Sequence, residues 1–112
     1  MAKVVRLSDY RRSNRRVSFS RHELRQLLDV YTRRVMSGEW RDYAIDHHAG
    51  MAVFSIFRHS ADGPLFRVAK VAGRGERQDE YLVVSGPQRL KSGATIAEVL
   101  GVFDRRKLEL VT

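Results

Sequence analysis

Trp40-Arg41-Asp42-Tyr43-Ala44-Ile45-Asp46, then His47-His48-Ala49-Gly50, then Met51-Ala52-Val53-Phe54-Ser55-Ile56-Phe57-Arg58: this is the stretch on which the fold turns. Tyr43 and Ile45 share one parity with small or polar residues between them, the period-two pattern of a half-covered strand. The His-His-Ala-Gly run reads as a turn. Residues 51–58 are rich in apolar and aromatic side chains on both parities, which suits a central strand with each face at least partly covered.

Downstream, Ser60-Ala61-Asp62-Gly63-Pro64 carries the Asp-Gly and Gly-Pro chemistry of a hairpin connection, so residues 65–72 are predicted to form a third strand. A polar loop over residues 73–80 leads to a fourth strand over residues 81–84, closed by Ser85-Gly86-Pro87. Thr95-Ile96-Ala97-Glu98 has capping-box spacing, and Ile96, Val99, Leu100 and Phe103 supply the buried stripe of a short helix. Arg105, Arg106 and Lys107 are expected at its C-terminal end, where cations suit the helix dipole, with residues 108–111 as a terminal strand.

Upstream, Ser20-Arg21-His22-Glu23 is another capping box, followed by Leu24, Leu27, Leu28, Tyr31 and Val35 at helical spacing and by Gly38 as a terminating residue. Residues 1–16 lack a sustained apolar period and end in Tyr10-Arg11-Arg12-Ser13-Asn14-Arg15-Arg16, a self-repelling run. The expected fold class is therefore α+β: an antiparallel four- to five-stranded sheet with two helices, in the order α-β-β-β-β-α-β. Residues 17–112 would form one domain behind a disordered basic N-terminal arm of residues 1–16.

Of the net charge of +8, +6 falls within residues 1–25, where eight cations face only Asp9 and Glu23. The tail, rather than the nearly balanced body, is where an anionic partner would be held. The chain has no cysteine, which excludes disulfides, thiolate nucleophiles and cysteine-ligated metals and fits a reducing cytosol. Residues 1–20 lack the apolar core of a secretory signal, and the apolar run at residues 51–57 is far shorter than the roughly 20 residues of a spanning helix. A soluble cytoplasmic protein without membrane contact is expected.

Asp42, Asp46, His47 and His48 form the densest group of acid–base or ligand side chains. On a strand, however, the two aspartates lie about 13 Å apart and the two histidines point opposite ways. Gly73-Arg74-Gly75 precedes a strand rather than the helix a phosphate loop needs, and Ser92-Gly93-Ala94-Thr95 lacks the lysine of a nucleotide-binding loop. Ala49-Gly50-Met51-Ala52-Val53-Phe54-Ser55-Ile56 aligns loosely with an RNA-binding sheet motif, but Met51, Val53 and Ile56 stand where stacking aromatics are required. No catalytic residue, cofactor or metal is assigned, and the residues lean against an enzyme.

Gly38-Glu39-Trp40-Arg41-Asp42-Tyr43-Ala44-Ile45-Asp46-His47, taken with Ala52-Val53-Phe54-Ser55-Ile56-Phe57-Arg58 and Phe19-Ser20-Arg21-His22-Glu23-Leu24, resembles a small alphaproteobacterial family known as domain of unknown function 2794. The resemblance runs from about Val17 onward and implies a bacterial cytoplasmic origin. It carries over no activity; it marks Trp40, Arg41, Asp42, Tyr43 and Asp46 as a signature stretch and first choices for mutation.

The favoured functional reading is a non-enzymatic binding or regulatory module. Its arm, through Arg11, Arg12, Arg15 and Arg16 with Arg21 and Arg25 beyond, would contact nucleic acid or an acidic protein partner. Two alternatives stay open: an enzyme or metal-binding protein using the Asp42 to His48 cluster, and a homodimeric structural or assembly protein joined through its sheet.

Overall fold

The structure, a computed structural model, describes residues 16–59 and 61–111, with those from 105 onward described by their backbone alone. The arm expected at residues 1–16 thus lies, apart from Arg16, outside the described residues, and Arg11, Arg12 and Arg15 with it.

The first helix, α1, spans Arg21–Met36. Its start is closed reciprocally: the Glu23 N–H donates to the Ser20 hydroxyl at 3.1 Å and the Ser20 N–H donates to the Glu23 carboxylate at 2.7 Å. Gly38, at φ +81°, turns the chain out of the helix in the left-handed region that favours glycine. Five strands follow, β1 (Asp42–His48), β2 (Met51–Phe57), β3 (Phe66–Val71), β4 (Glu80–Ser85) and β5 (Gln88–Gly93), before α2 (Ile96–Val111). The sheet runs β1-β2-β3-β4-β5 with every neighbour antiparallel, so the expected meander holds.

The order of elements is α, five β, α, and this corrects the expected α-β-β-β-β-α-β in two places. Gln88-Arg89-Leu90-Lys91-Ser92-Gly93 offers a single large apolar residue and no alternation, yet it pairs with β4 as a strand, with a bulge opposite Val83 and Val84. Gly86, at φ +56°, makes the tight connection. Residues 108–111 continue α2 instead of forming a strand: no glycine or proline follows Phe103, and Arg, Lys, Leu and Glu all favour propagation of a helix already nucleated. Arg105, Arg106 and Lys107 therefore lie within α2 and not in its last turn. The expected turn at residues 47–50 also narrows to Ala49 and Gly50, because His47 and His48 pair with Ala52 and Met51.

Both helices lie on one face of the sheet. Ala52, Phe54, Ile56, Val68, Tyr81 and Val83 from that face pack with Leu27 and Val30 of α1 and Ile96, Val99, Leu100 and Phe103 of α2. Phe54 and Phe103 are among the largest fully buried side chains, each contributing on the order of 2–3 kcal/mol by burial. The opposite face carries its own buried cluster, Met51, Val53, Ala69, Val71 and Leu82. Six of the seven residues of β2 are buried, which is why its sequence is apolar on both parities.

Trp40 precedes β1 rather than opening it and is buried in the core. Its ring meets Phe103 edge-on at 5.0 Å and Phe66 at 6.1 Å, joining the end of α1 to β3 and α2.

Candidate functional site

The cations expected to hold a partner divide in the structure. Arg16, Arg21 and Arg25 are all exposed. Arg21 and Arg25 stand one helical turn apart and, with Leu24, Leu28 and Asp29, line a shallow cup on α1. The floor is apolar because Leu24 and Leu28 are only partly covered by the core they flank. The stripe continues along α1 through Tyr31 to Val35, which is exposed. Tyr31 meets Tyr43 of β1 edge-on at 4.9 Å, so the apolar flank of α1 passes onto the first strand of the sheet. Burial, then Asp42 and Tyr43, push the Tyr31 hydroxyl above its usual pKa and keep it protonated.

The signature stretch does not act as a unit. Trp40 is core; Arg41, Asp42, Tyr43 and Asp46 are exposed on or beside β1. Register places Asp42, Ala44, Asp46 and His48 on the sheet face away from the helices, beside Met51 and Val53, while Tyr43, Ile45 and His47 face the helix side. The acid–base cluster is thus split between two faces, and no group of three or more potential metal ligands converges among the described residues.

Two buried polar networks escape sequence reasoning. In the first, the Glu23 carboxylate that completes the cap also accepts hydrogen bonds from Lys70 Nζ at 2.8 Å and from the Tyr81 hydroxyl, while Lys70 donates to the Ser18 carbonyl at 3.0 Å. This pins the first turn of α1 to β3 and β4. A lysine on the same parity of β3 as Phe66 and Val68, the parity that faces the helices, was the available signal. In the second, the buried Arg34 guanidinium donates to the Glu39 carboxylate at 2.5 Å and to the Phe103 carbonyl, and lies 5.6 Å from the centre of the Trp40 ring. Its signal was a cation seven residues after Leu27, on the stripe that faces the core.

Burial of Glu23 opposes its ionisation, but the hydrogen bonds from Lys70, Tyr81 and Ser20 and the Lys70 charge prevail and hold its pKa below the usual carboxylate value. Tyr81 is pushed well above the ordinary tyrosine pKa, first by burial and then by Glu23. Neither group titrates near neutral pH, so the network is a structural tie and not an acid–base pair.

The sign of each shift defines a window. The stability contributed by Glu23 is present above the unfolded glutamate pKa and is lost as pH falls through the lowered folded value. That of Tyr81 is present below the unfolded value of 10.0 and is lost as pH rises through the raised one. Urea unfolding across pH should show both limbs. In Tyr81→Phe the alkaline limb should flatten and the neutral plateau drop by about 2 kcal/mol, since a hydrogen bond to a charged acceptor is lost.

No described helix is long and apolar enough to cross a membrane. Searches of curated proteins and of solved structures return no match to the chain. Residues 17–100, from the strip ahead of α1 through the first turn of α2, match one family model. That span holds the cap, the signature stretch, the whole sheet and the Glu23 network, with Arg34 and Glu39 of the second, and by it the chain belongs to the family described as Protein of unknown function (DUF2794).

Proposed function

We propose that this protein is a non-enzymatic binding module that docks an acidic segment of a partner protein along α1. The observation carrying this reading is the cup in which Arg21 and Arg25 rim an apolar floor of Leu24 and Leu28. An amphipathic acidic segment satisfies both parts at once, apolar side chains on the leucines and carboxylates on the guanidinium groups. The start of a helix adds a favourable potential for negative charge. Arg16, and with it Arg11, Arg12 and Arg15, would extend the cationic strip and speed encounter. A phosphate backbone would use the arginines but leave the leucine floor uncovered, which favours protein over nucleic acid. We place the module in an alphaproteobacterial cytosol, in keeping with its cysteine-free composition. An enzymatic or metal-binding role for Asp42, Asp46, His47 and His48 draws less support, because strand alternation divides them.

Affinity capture from nuclease-treated host lysate should retain an acidic protein at low salt and release it at high salt. The double variant Arg21→Glu/Arg25→Glu should weaken that retention at least about tenfold, as reversal of two rim charges implies. Retention that vanishes on nuclease treatment would point to nucleic acid instead, and retention unchanged in the double variant would overturn the reading.

A further inference from the structure

The two edges of the sheet are not alike. β5 is interrupted by its bulge, carries Arg89 and Lys91, and ends at Gly93. Such features discourage pairing with another chain. β1 has no bulge and no lysine or arginine, and its two charged residues, Asp42 and Asp46, lie on one face. Its seven residues keep unbroken register with β2, contain no glycine or proline, and present Tyr43 and Ile45 at 40% and 37% exposure. An open edge of that kind is a template for another strand.

Backbone direction on β1 follows from its neighbours. The Ala72 N–H donates to the Gly50 carbonyl at 2.9 Å, so even-numbered residues of β2 bond toward β3 and odd-numbered ones toward β1. Register sets those odd residues opposite Asp42, Ala44, Asp46 and His48. The N–H and C=O groups of Tyr43, Ile45 and His47 therefore point away from the sheet. The Tyr43 N–H confirms it by bonding at 2.9 Å to the side chain of Asp42 instead of to β2.

We propose that β1 pairs antiparallel with β1 of a second copy of this chain about a two-fold axis at Ile45, joining two five-stranded sheets into one of ten. Charge selects this register from its neighbours. An axis at Ala44 would set Asp42 opposite the second copy's Asp46, and an axis at Asp46 would oppose that carboxylate to its own copy; like charges directly opposed are destabilising. The axis at Ile45 places Asp42 opposite His48 and Ala44 opposite Asp46. It also makes Tyr43–His47 and Ile45–Ile45 the hydrogen-bonded pairs, so that all three outward residues are used on each copy. Asp42 exchanges its contact with the Tyr43 amide for the imidazole across the axis. On the helix side of the joined sheet Ile45 then meets its counterpart and Tyr43 meets the second copy's His47, where Val35 and Met36 of α1 are also exposed.

The test uses the full chain. Sedimentation equilibrium should report a concentration-dependent dimer. Because the Ile45 N–H is not used by β2, Ile45→Pro costs the folded monomer no ladder hydrogen bond, and proline is tolerated on such an edge. It should raise the dimer dissociation constant at least about tenfold with an unchanged circular dichroism spectrum. Ile45→Lys serves the same purpose should the proline variant not fold. The chain has no native thiol, so Ile45→Cys introduces a single one; a short bis-maleimide should link two copies of it but not of Ser92→Cys on β5. Arg21→Glu/Arg25→Glu, which lies off the edge, should leave the dimer intact, so loss of partner binding and loss of dimer are distinguishable. A monomer at several hundred micromolar, or a dimer indifferent to both Ile45 substitutions, would overturn the proposal.

Discussion

Trp40→Ala is expected to lower the unfolding free energy by about 3–5 kcal/mol, the cost of truncating a large buried aromatic that leaves a cavity. Trp40 is 4% exposed and is wedged among Tyr31, Phe66 and Phe103, so three elements lose a shared partner at once. A domain of this size has roughly 5–15 kcal/mol in total, so the variant should be only marginally folded at room temperature. Urea titration followed by far-ultraviolet circular dichroism checks it, since the only tryptophan is gone. A loss below about 1 kcal/mol would show that the corner between α1 and β1 repacks freely.

Arg34→Ala should cost about 2–4 kcal/mol. Arg34 is 6% exposed, and its guanidinium holds the end of α1 to Glu39 and to the Phe103 carbonyl of α2. Removing it strands that carbonyl and takes the cation from above the Trp40 ring. Glu39 is partly solvated, its side chain being 36% exposed, which keeps the penalty below that of breaking a wholly buried pair. Arg34→Met retains most of the apolar stem and should recover roughly half of the loss. Equal losses in the two variants would mean that the polar head, not the stem, carries the contact. Trp40 and Arg34 touch, so their double variant should destabilise by less than the sum of the two singles.

These expectations recast the signature stretch. Trp40 works inward as the joint between α1 and the sheet, whereas Arg41, Asp42, Tyr43 and Asp46 lie on or beside an open edge. In the proposed dimer, Asp42 opposite His48 and Ala44 opposite Asp46 would give that edge a charge pattern that matches its own reverse. One short run thus serves packing at its start and, in the proposed dimer, recognition along the rest.

Where the cause of structure is local, the residues alone sufficed. The Ser20 and Glu23 cap, the leucine stripe after it, Gly38, and the apolar double parity of residues 51–57 each act over a few positions, and the meander of α1 and β1 to β4 follows from them. That Arg21 and Arg25 stand one turn apart on α1 was equally visible in one dimension.

What the chain by itself could not decide depends on partners far along it. β5 has almost no apolar pattern and exists because β4 offers it a hydrogen-bonding edge, while residues 108–111 alternate like a strand but inherit the helix begun at Ile96. Glu23 with Lys70, and Arg34 with Phe103, are separated by 47 and 69 residues, so no spacing rule links them. Only folding, by excluding water from those contacts, turns isolated charges into obligatory pairs.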